Sequence, residues 1–94
     1  MICAVFTNNR KKAQDKLEEI KNIKCNLVRL YNSKNGLEYE FADGEIWRWV
    51  CVSQHQRGIR AYKAWIDKDI DTHALCYDVF PSCDHCNDED MLYF

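Results

Sequence analysis

His73 and Cys76 are separated by two residues, as are Cys83 and Cys86, and six residues lie between the two pairs. An imidazole and three thiolates at this spacing make the donor set of a tetrahedral zinc ion. Two intervening residues let the chain fold back until both side chains of a pair point at one centre about 2.0–2.3 Å away. Pro81 and Ser82 fall between the pairs, where a loop would re-aim the chain. His85 lies inside the second pair and competes with His73 for the fourth place, and Asp84 adds negative charge between two thiolates. Four protein ligands leave no coordination position for water, so the zinc expected here is structural rather than catalytic. Two plainer readings use the same residues: a reversible Cys83–Cys86 disulfide, or a short helix that packs His73 and Cys76 on the core.

Other chemistry is harder to assemble. Asp67, Asp69 and Asp71 alternate as magnesium ligands would, but without a second motif they also read as a solvated turn and a helix cap. A cysteine nucleophile needs a base, and His55, in a polar stretch, has no partner visible in the sequence. Trp47 and Trp49 sit two apart, with Arg48, Arg57, Arg60 and Lys63 nearby. Such a set stacks bases and meets phosphates in a small zinc-containing nucleic-acid-binding protein; otherwise the indoles are core. The net charge of −2 argues against the nucleic-acid alternative. No catalytic set emerges, and a binding protein rather than an enzyme is expected.

The elements that must position these residues fit one domain, 1–94, with a body at 1–67 and an acidic zinc-binding section at 68–94. A chain of 94 residues buries only about 60–65% of its unfolded surface, so a metal staple would matter. Hydrophobic content of 47%, with 3 Trp, 5 Tyr and 4 Phe, suits a packed core. The first residues lack a basic stretch before a long apolar run, and no window approaches the length of a membrane span; neither export nor a membrane is expected. In a reducing cytoplasm six cysteines favour metal over disulfide. Charge is segregated: residues 1–63 hold 12 Lys or Arg against 7 Asp or Glu, net +5, and residues 64–94 hold 1 against 8, net −7. Such a split marks either an interaction surface or two solvated faces.

In chain order, Ile2–Thr7 reads as a buried strand, and Asn8 or Asn9 caps a helix from Arg10 to about Asn22. The helix draws an apolar stripe through Ala13, Leu17, Ile20 and Ile23. Its Arg10-Lys11-Lys12 start opposes the helix dipole, and so calls for a partner, an anion ligand or solvent. Cys25–Asn32 reads as a strand covered on both sides, Asn35-Gly36 as a tight turn, Leu37–Phe41 as a half-buried strand, and Asp43-Gly44 as a second turn before Glu45–Val52. That is a meander. Residues 53–58 read as a loop, Tyr62–Ile66 as a last strand, and Asp71 as the cap of a short helix through Cys76, with Met91–Phe94 returning to the body. The fold class is α+β: one N-terminal helix on a small mixed or antiparallel sheet, ordered β-α-β-β-β-β, then a short helix and a zinc knuckle.

The run Arg57-Gly58-x-Arg60-Ala61, leading into an apolar strand that ends in Asp67, resembles part of the ATPase core of phage large terminase subunits over residues 37–67. That resemblance implies a phage origin. Only 3 glycines are present, none in a phosphate-cradling Gly-x4-Gly-Lys-Ser/Thr loop, and Lys68 stands where that family has an acid, so nucleotide hydrolysis does not carry over. In size, acidity and its His73, Cys76, Cys83, Cys86 set, the chain is also similar to the small phage type II-A anti-CRISPR proteins, in particular a zinc-containing member. The resemblance implies a non-enzymatic inhibitor in the host bacterial cytoplasm that binds an RNA-guided type II CRISPR nuclease and blocks loading of target DNA. Asp67, Asp69, Asp71, Asp88, Glu89 and Asp90 are the residues expected to meet the nuclease's basic channel, without direct nucleic-acid binding.

Overall fold

A computed structural model describes residues 1–34, 36–52, 60–83 and 86–94. The expected Asn35 turn residue, the 53–58 loop with His55 and Arg57, and the candidates Asp84 and His85 lie outside the described residues. Six strands form one mixed sheet: β1 (Ile2–Phe6), β2 (Leu27–Ser33), β3 (Gly36–Phe41), β4 (Ile46–Val50), β5 (Lys63–Ile66) and β6 (Met91–Tyr93), in the order β2-β3-β4-β1-β5-β6. The expected meander is present, since β2–β3 and β3–β4 are antiparallel pairs. β1 lies parallel to both β4 and β5, and β6 lies parallel to β5. This accounts for the continuous apolar run of β1: a central parallel strand is covered on both faces, and its residues from Cys3 to Phe6 are buried.

Helix α1 (Arg10–Lys24) covers one face. The Asn9 side chain caps it by accepting from the Lys11 and Lys12 N–H groups, and Cys25, at φ 56°, ends it in the left-handed conformation. Ala13, Leu17 and Ile20 bury against Cys3, Val5, Leu37, Tyr39, Phe41 and Trp47. Burial of the two larger aliphatics contributes about 1.5–3 kcal/mol each. The stripe stops there, because Ile23, expected to extend it, lies at the end of the helix and is 74% exposed. Alternation sends Ala4 and Phe6 of β1 to the opposite face, where they meet Val50, Ala64, Ile66, Ile70, Val79 and Cys83.

Two expectations change. β2 is not covered on both sides: it is an edge strand, and Val28, Leu30 and Tyr31 are exposed. The stretch around Pro81 is helical rather than a loop. The chain runs through helical turns at Thr72–Ala74 and Phe80–Ser82 joined by a wider π turn at Leu75–Val79, in which the Phe80 N–H reaches back to Leu75 O. Pro81 lies in the last piece, directly after the wider turn. The end of the chain does return to the body, as strand β6 beyond a 3₁₀ turn at Asp88–Asp90. At the Asp43-Gly44 turn, Gly44 has φ +91°, which favours glycine there. Among the described residues, no helix is long and apolar enough to cross a membrane.

Candidate functional site

The zinc candidates occupy the helical segment and the turn after it. His73 is exposed and lies against Tyr77, ring centroids 4.5 Å apart. Cys76 is exposed, whereas Cys83 is buried in the core beneath the sheet and Cys86 packs at its margin. Cys83 and Cys86 share a turn in which the Cys86 N–H donates to Cys83 O at 2.9 Å. Burial, with Asp90 and Asp88 nearby, pushes the Cys86 thiol up. Among the described residues no group of three or more His, Cys, Asp or Glu side chains is placed to hold a metal ion. The structure brings Cys83 and Cys86 into one turn, and leaves His73 and Cys76 on the exposed side of the helical segment.

The six candidate carboxylates divide into two groups. Asp67 follows β5, and Asp69 and Asp71 continue from it, at the carboxyl end of the parallel strands. Asp88, Glu89 and Asp90 precede β6, which runs parallel to β5 with Met91 opposite Ala64, so they stand at the other end of the sheet. The two groups are therefore about 10 Å or more apart, by the rise of about 3.3 Å per strand residue. Asp69, Asp71, Asp88 and Glu89 are exposed.

Asp67 differs from the others in being only 4% exposed. Its carboxylate accepts from Thr7 Oγ1 at 2.6 Å, from the Asp69 N–H at 2.9 Å and from Lys12 Nζ at 3.3 Å. Burial alone would raise its pKa, but the bonds from Thr7, the Asp69 backbone and Lys12 hold the carboxyl below its usual value. Lys12 also meets Asp69 at 2.7 Å, and that hydrogen bond, together with Asp67, raises the pKa of the ammonium. Thr7 and Asp67 come together because β1 and β5 are parallel neighbours that end side by side, with Phe6 opposite Ile66. Lys12, Asp67 and Asp69, with Asn8, Asn9 and Ile70, line a cavity of about 250 Å³ at the amino end of α1. This is the crevice position at which open α/β sheets place their ligands; here the lysine of the chain itself spans the two acids. The basic start of α1 thus has protein partners: Arg10 donates to Asn32 Oδ1 and to Lys34 O, and lies 5.7 Å above the Trp49 ring.

Nothing in the sequence pairs Thr7 or Lys12 with Asp67. They lie 60 and 55 residues away, and only the parallel ladder unites them. A polar residue closing an apolar strand, at both Thr7 and Asp67, was the available signal.

Among the described residues the basic and aromatic set does not gather on one face. Trp47 is buried on the α1 side and donates to Glu45 Oε1 at 3.0 Å, and Trp49 on the same side donates to Thr7 O at 2.8 Å. Arg48 points the other way and pairs with Glu38 at 3.2 Å. Lys63 pairs with Glu45 at 2.6 Å, at the opposite end of β5 from Asp67. Arg60 is exposed. Glu45, 8% exposed, takes Lys24 as well; burial opposes its charge, and the bonds from Lys24, Lys63 and Trp47 hold its pKa below the usual value. Compared with known proteins, the chain matches no family model, no characterised protein and no solved structure.

Proposed function

We propose that this chain is a non-enzymatic inhibitor that docks on the basic nucleic-acid channel of an RNA-guided type II CRISPR nuclease and prevents target DNA from loading. The observation that supports this reading is the edge formed by Asp88–Asp90 and β6. Asp88 and Glu89 are exposed in the 3₁₀ turn, and they lead directly into a sheet-edge strand on which Leu92 is 43% and Tyr93 46% exposed. Carboxylates beside apolar and aromatic side chains suit a basic protein surface: charge of this sign steers the encounter, and the exposed side chains supply contact area. The edge is held firmly from behind. The Phe94 N–H donates to Ile66 O, the Lys68 N–H donates to Phe94 O, and Phe94 meets the Trp65 ring edge-on at 6.2 Å. Asp67 is buried and bonded within the chain, Asp69 pairs with Lys12 and Asp71 accepts from the Ala74 N–H, so Asp88, Glu89 and Asp90 carry the contact.

The test is co-elution with the guide-loaded nuclease followed by a DNA gel shift. The parent chain is expected to abolish the shift. An Asp88→Asn, Glu89→Gln, Asp90→Asn variant of unchanged circular dichroism should need at least about tenfold more protein, the equivalent of about 1.4 kcal/mol. Undiminished DNA binding by the nuclease in excess parent chain would refute the reading.

A further inference from the structure

The opposite edge of the sheet carries a second surface. Among the described residues β2 is the terminal strand and is paired on one side only. Its exposed side chains are apolar or aromatic at Val28 (65%), Leu30 (44%) and Tyr31 (53%). Natural edges are commonly protected by lysine, proline or short length. This strand has seven residues with neither proline nor lysine within it; its one charge is Arg29 and its one irregularity the register shift between Leu27 and Arg29.

The direction of its backbone groups follows from β3. The Phe41 N–H donates to Glu45 O, so odd-numbered residues of β3 face β4; the Ala42 N–H donates to Asn26 O, so even-numbered residues face β2. Arg29 pairs with Glu40 and Tyr31 with Glu38, which turns the main-chain groups of Leu30 and Asn32 outward. The side chains alternate in step. Leu30, opposite Tyr39, lies on the α1 face; Arg29 and Tyr31 lie on the other, where with Glu38 and Glu40 they line a cavity of about 240 Å³.

We propose that two copies of this chain pair edge to edge through β2, antiparallel, about a two-fold axis at Leu30. In that register the outward groups of Leu30 meet those of Leu30 in the second copy, and Asn32 falls opposite Val28. On the α1 face Leu30 packs on its own counterpart. On the other face Arg29 lies across from Tyr31 of the second copy, which gives a row Glu40, Arg29, Tyr31, Glu38 across the joint, repeated in reverse. Each arginine has a carboxylate on one side and an aromatic ring on the other, and no like charges are opposed. A two-fold axis at Tyr31 also satisfies the outward groups, but it sets Leu30 against Asn32 and Arg29 against Ser33, losing both matches. The other free edge, β6, is a poorer partner for β2: it is three residues long and follows an acidic turn. The register shift between Leu27 and Arg29 limits the paired stretch, so the contact is small and the dimer dissociates on dilution.

Light scattering on the eluting parent chain at rising concentration is expected to move from 11.2 kDa toward twice that mass. Leu30→Lys, on an already exposed position, should raise the dissociation constant at least about tenfold while leaving circular dichroism unchanged. In a Cys25→Ser, Cys76→Ser background, Leu30→Cys should be cross-linked into a dimer by a short bismaleimide, because directly opposed side chains of a hydrogen-bonded pair hold their Cβ atoms about 5.5 Å apart, within the reach of that reagent. A monomer at millimolar concentration, a dimer that Leu30→Lys leaves intact, cross-linking through Tyr31→Cys but not Leu30→Cys, or a ladder of larger oligomers from head-to-tail joining of β2 to β6 would each overturn the proposal.

Discussion

Replacing Asp67 by alanine tests how the ends of β1 and β5 are held. The substitution removes the acceptor for the Thr7 hydroxyl at 2.6 Å and for the Asp69 N–H at 2.9 Å. Hydrogen bonds to a charged group contribute about 1.5–3 kcal/mol each. The two give about 3 kcal/mol at the low end. The Lys12 contact adds little to that sum, because the lysine side chain is 41% exposed and its charge is screened by water. Thr7 is fully buried, so its hydroxyl loses its acceptor within the protein. For a domain of this size, about 3 kcal/mol corresponds to a fall in melting temperature of about 12–24 °C.

Asp67→Asn keeps one carbonyl oxygen as acceptor and should lose about half as much. Thr7→Val should lose about 1–3 kcal/mol, and in the double variant the two losses should fall short of their sum, because both remove the same bond. Thermal unfolding followed by circular dichroism measures all four variants against the parent. An Asp67→Ala variant that melts within about 4 °C of the parent, or strict additivity with Thr7→Val, would show that this carboxylate does not join the strands.

Asp67 and Glu45 both have lowered folded pKa values, so the unfolded chain takes up protons first as the solution is acidified. The stability they contribute is complete above the ordinary carboxylate range of about 4 and falls as pH drops through their folded values; urea midpoints at pH 6 and pH 3 should show the loss, and Asp67→Asn should reduce it. Cys3 is fully buried and its thiol is pushed up to about 12, by burial first and then by Glu45, whereas Cys25 and Cys76 are exposed. Brief alkylation at pH 7.5, read by mass spectrometry, should therefore label Cys25 and spare Cys3. Leu17→Ala, at a fully buried position under α1, should destabilise by about 2–5 kcal/mol in chemical denaturation. Zinc bound by His73, Cys76, Cys83 and Cys86 would appear as one equivalent by elemental analysis of protein purified without added metal, and would be lost in a Cys83→Ser, Cys86→Ser variant; less than about a tenth of an equivalent in the parent chain would dismiss it.

How much of the fold was legible depended on the range of the interaction that fixes each element. The helix stripe through Ala13, Leu17 and Ile20, the Asn9 cap, the alternation of Leu37, Tyr39 and Phe41, and the Gly44 turn are all set by neighbours within a few residues, and each stands in the structure where the pattern placed it. β2 was misplaced because apolar content reports what a strand can bury and not where it falls in the sheet. Leu27, Val28, Leu30 and Tyr31 would suit a central strand, yet the order puts them at the edge. The helical continuation through Pro81 was hidden for another reason. A proline after a helix reads as its end, unless a wider turn just before it resets the hydrogen bonding, as Leu75–Val79 does here.

The carboxylates show the same limit at the level of chemistry. In sequence, Asp67, Asp69 and Asp71 form one acidic run with Asp88, Glu89 and Asp90, and the net of −7 over residues 64–94 suggests a single surface. A parallel β5–β6 pair cannot produce one: the connection has to return to the starting end of the sheet, so acids that follow β5 and acids that precede β6 are carried to opposite ends. At the first end Asp67 and Asp69 meet Lys12, which comes from the half of the chain with net positive charge, and Asp67 there accepts a bond from Thr7. Part of the charge segregation along the chain is thereby consumed in joining α1 to the end of β5. The exposed carboxylates at the other end lie beside an open strand edge, and on this argument any partner attracted by the acidity of the chain should respond to substitutions at Asp88 and Glu89 and be indifferent to Asp67→Asn, provided that variant stays folded.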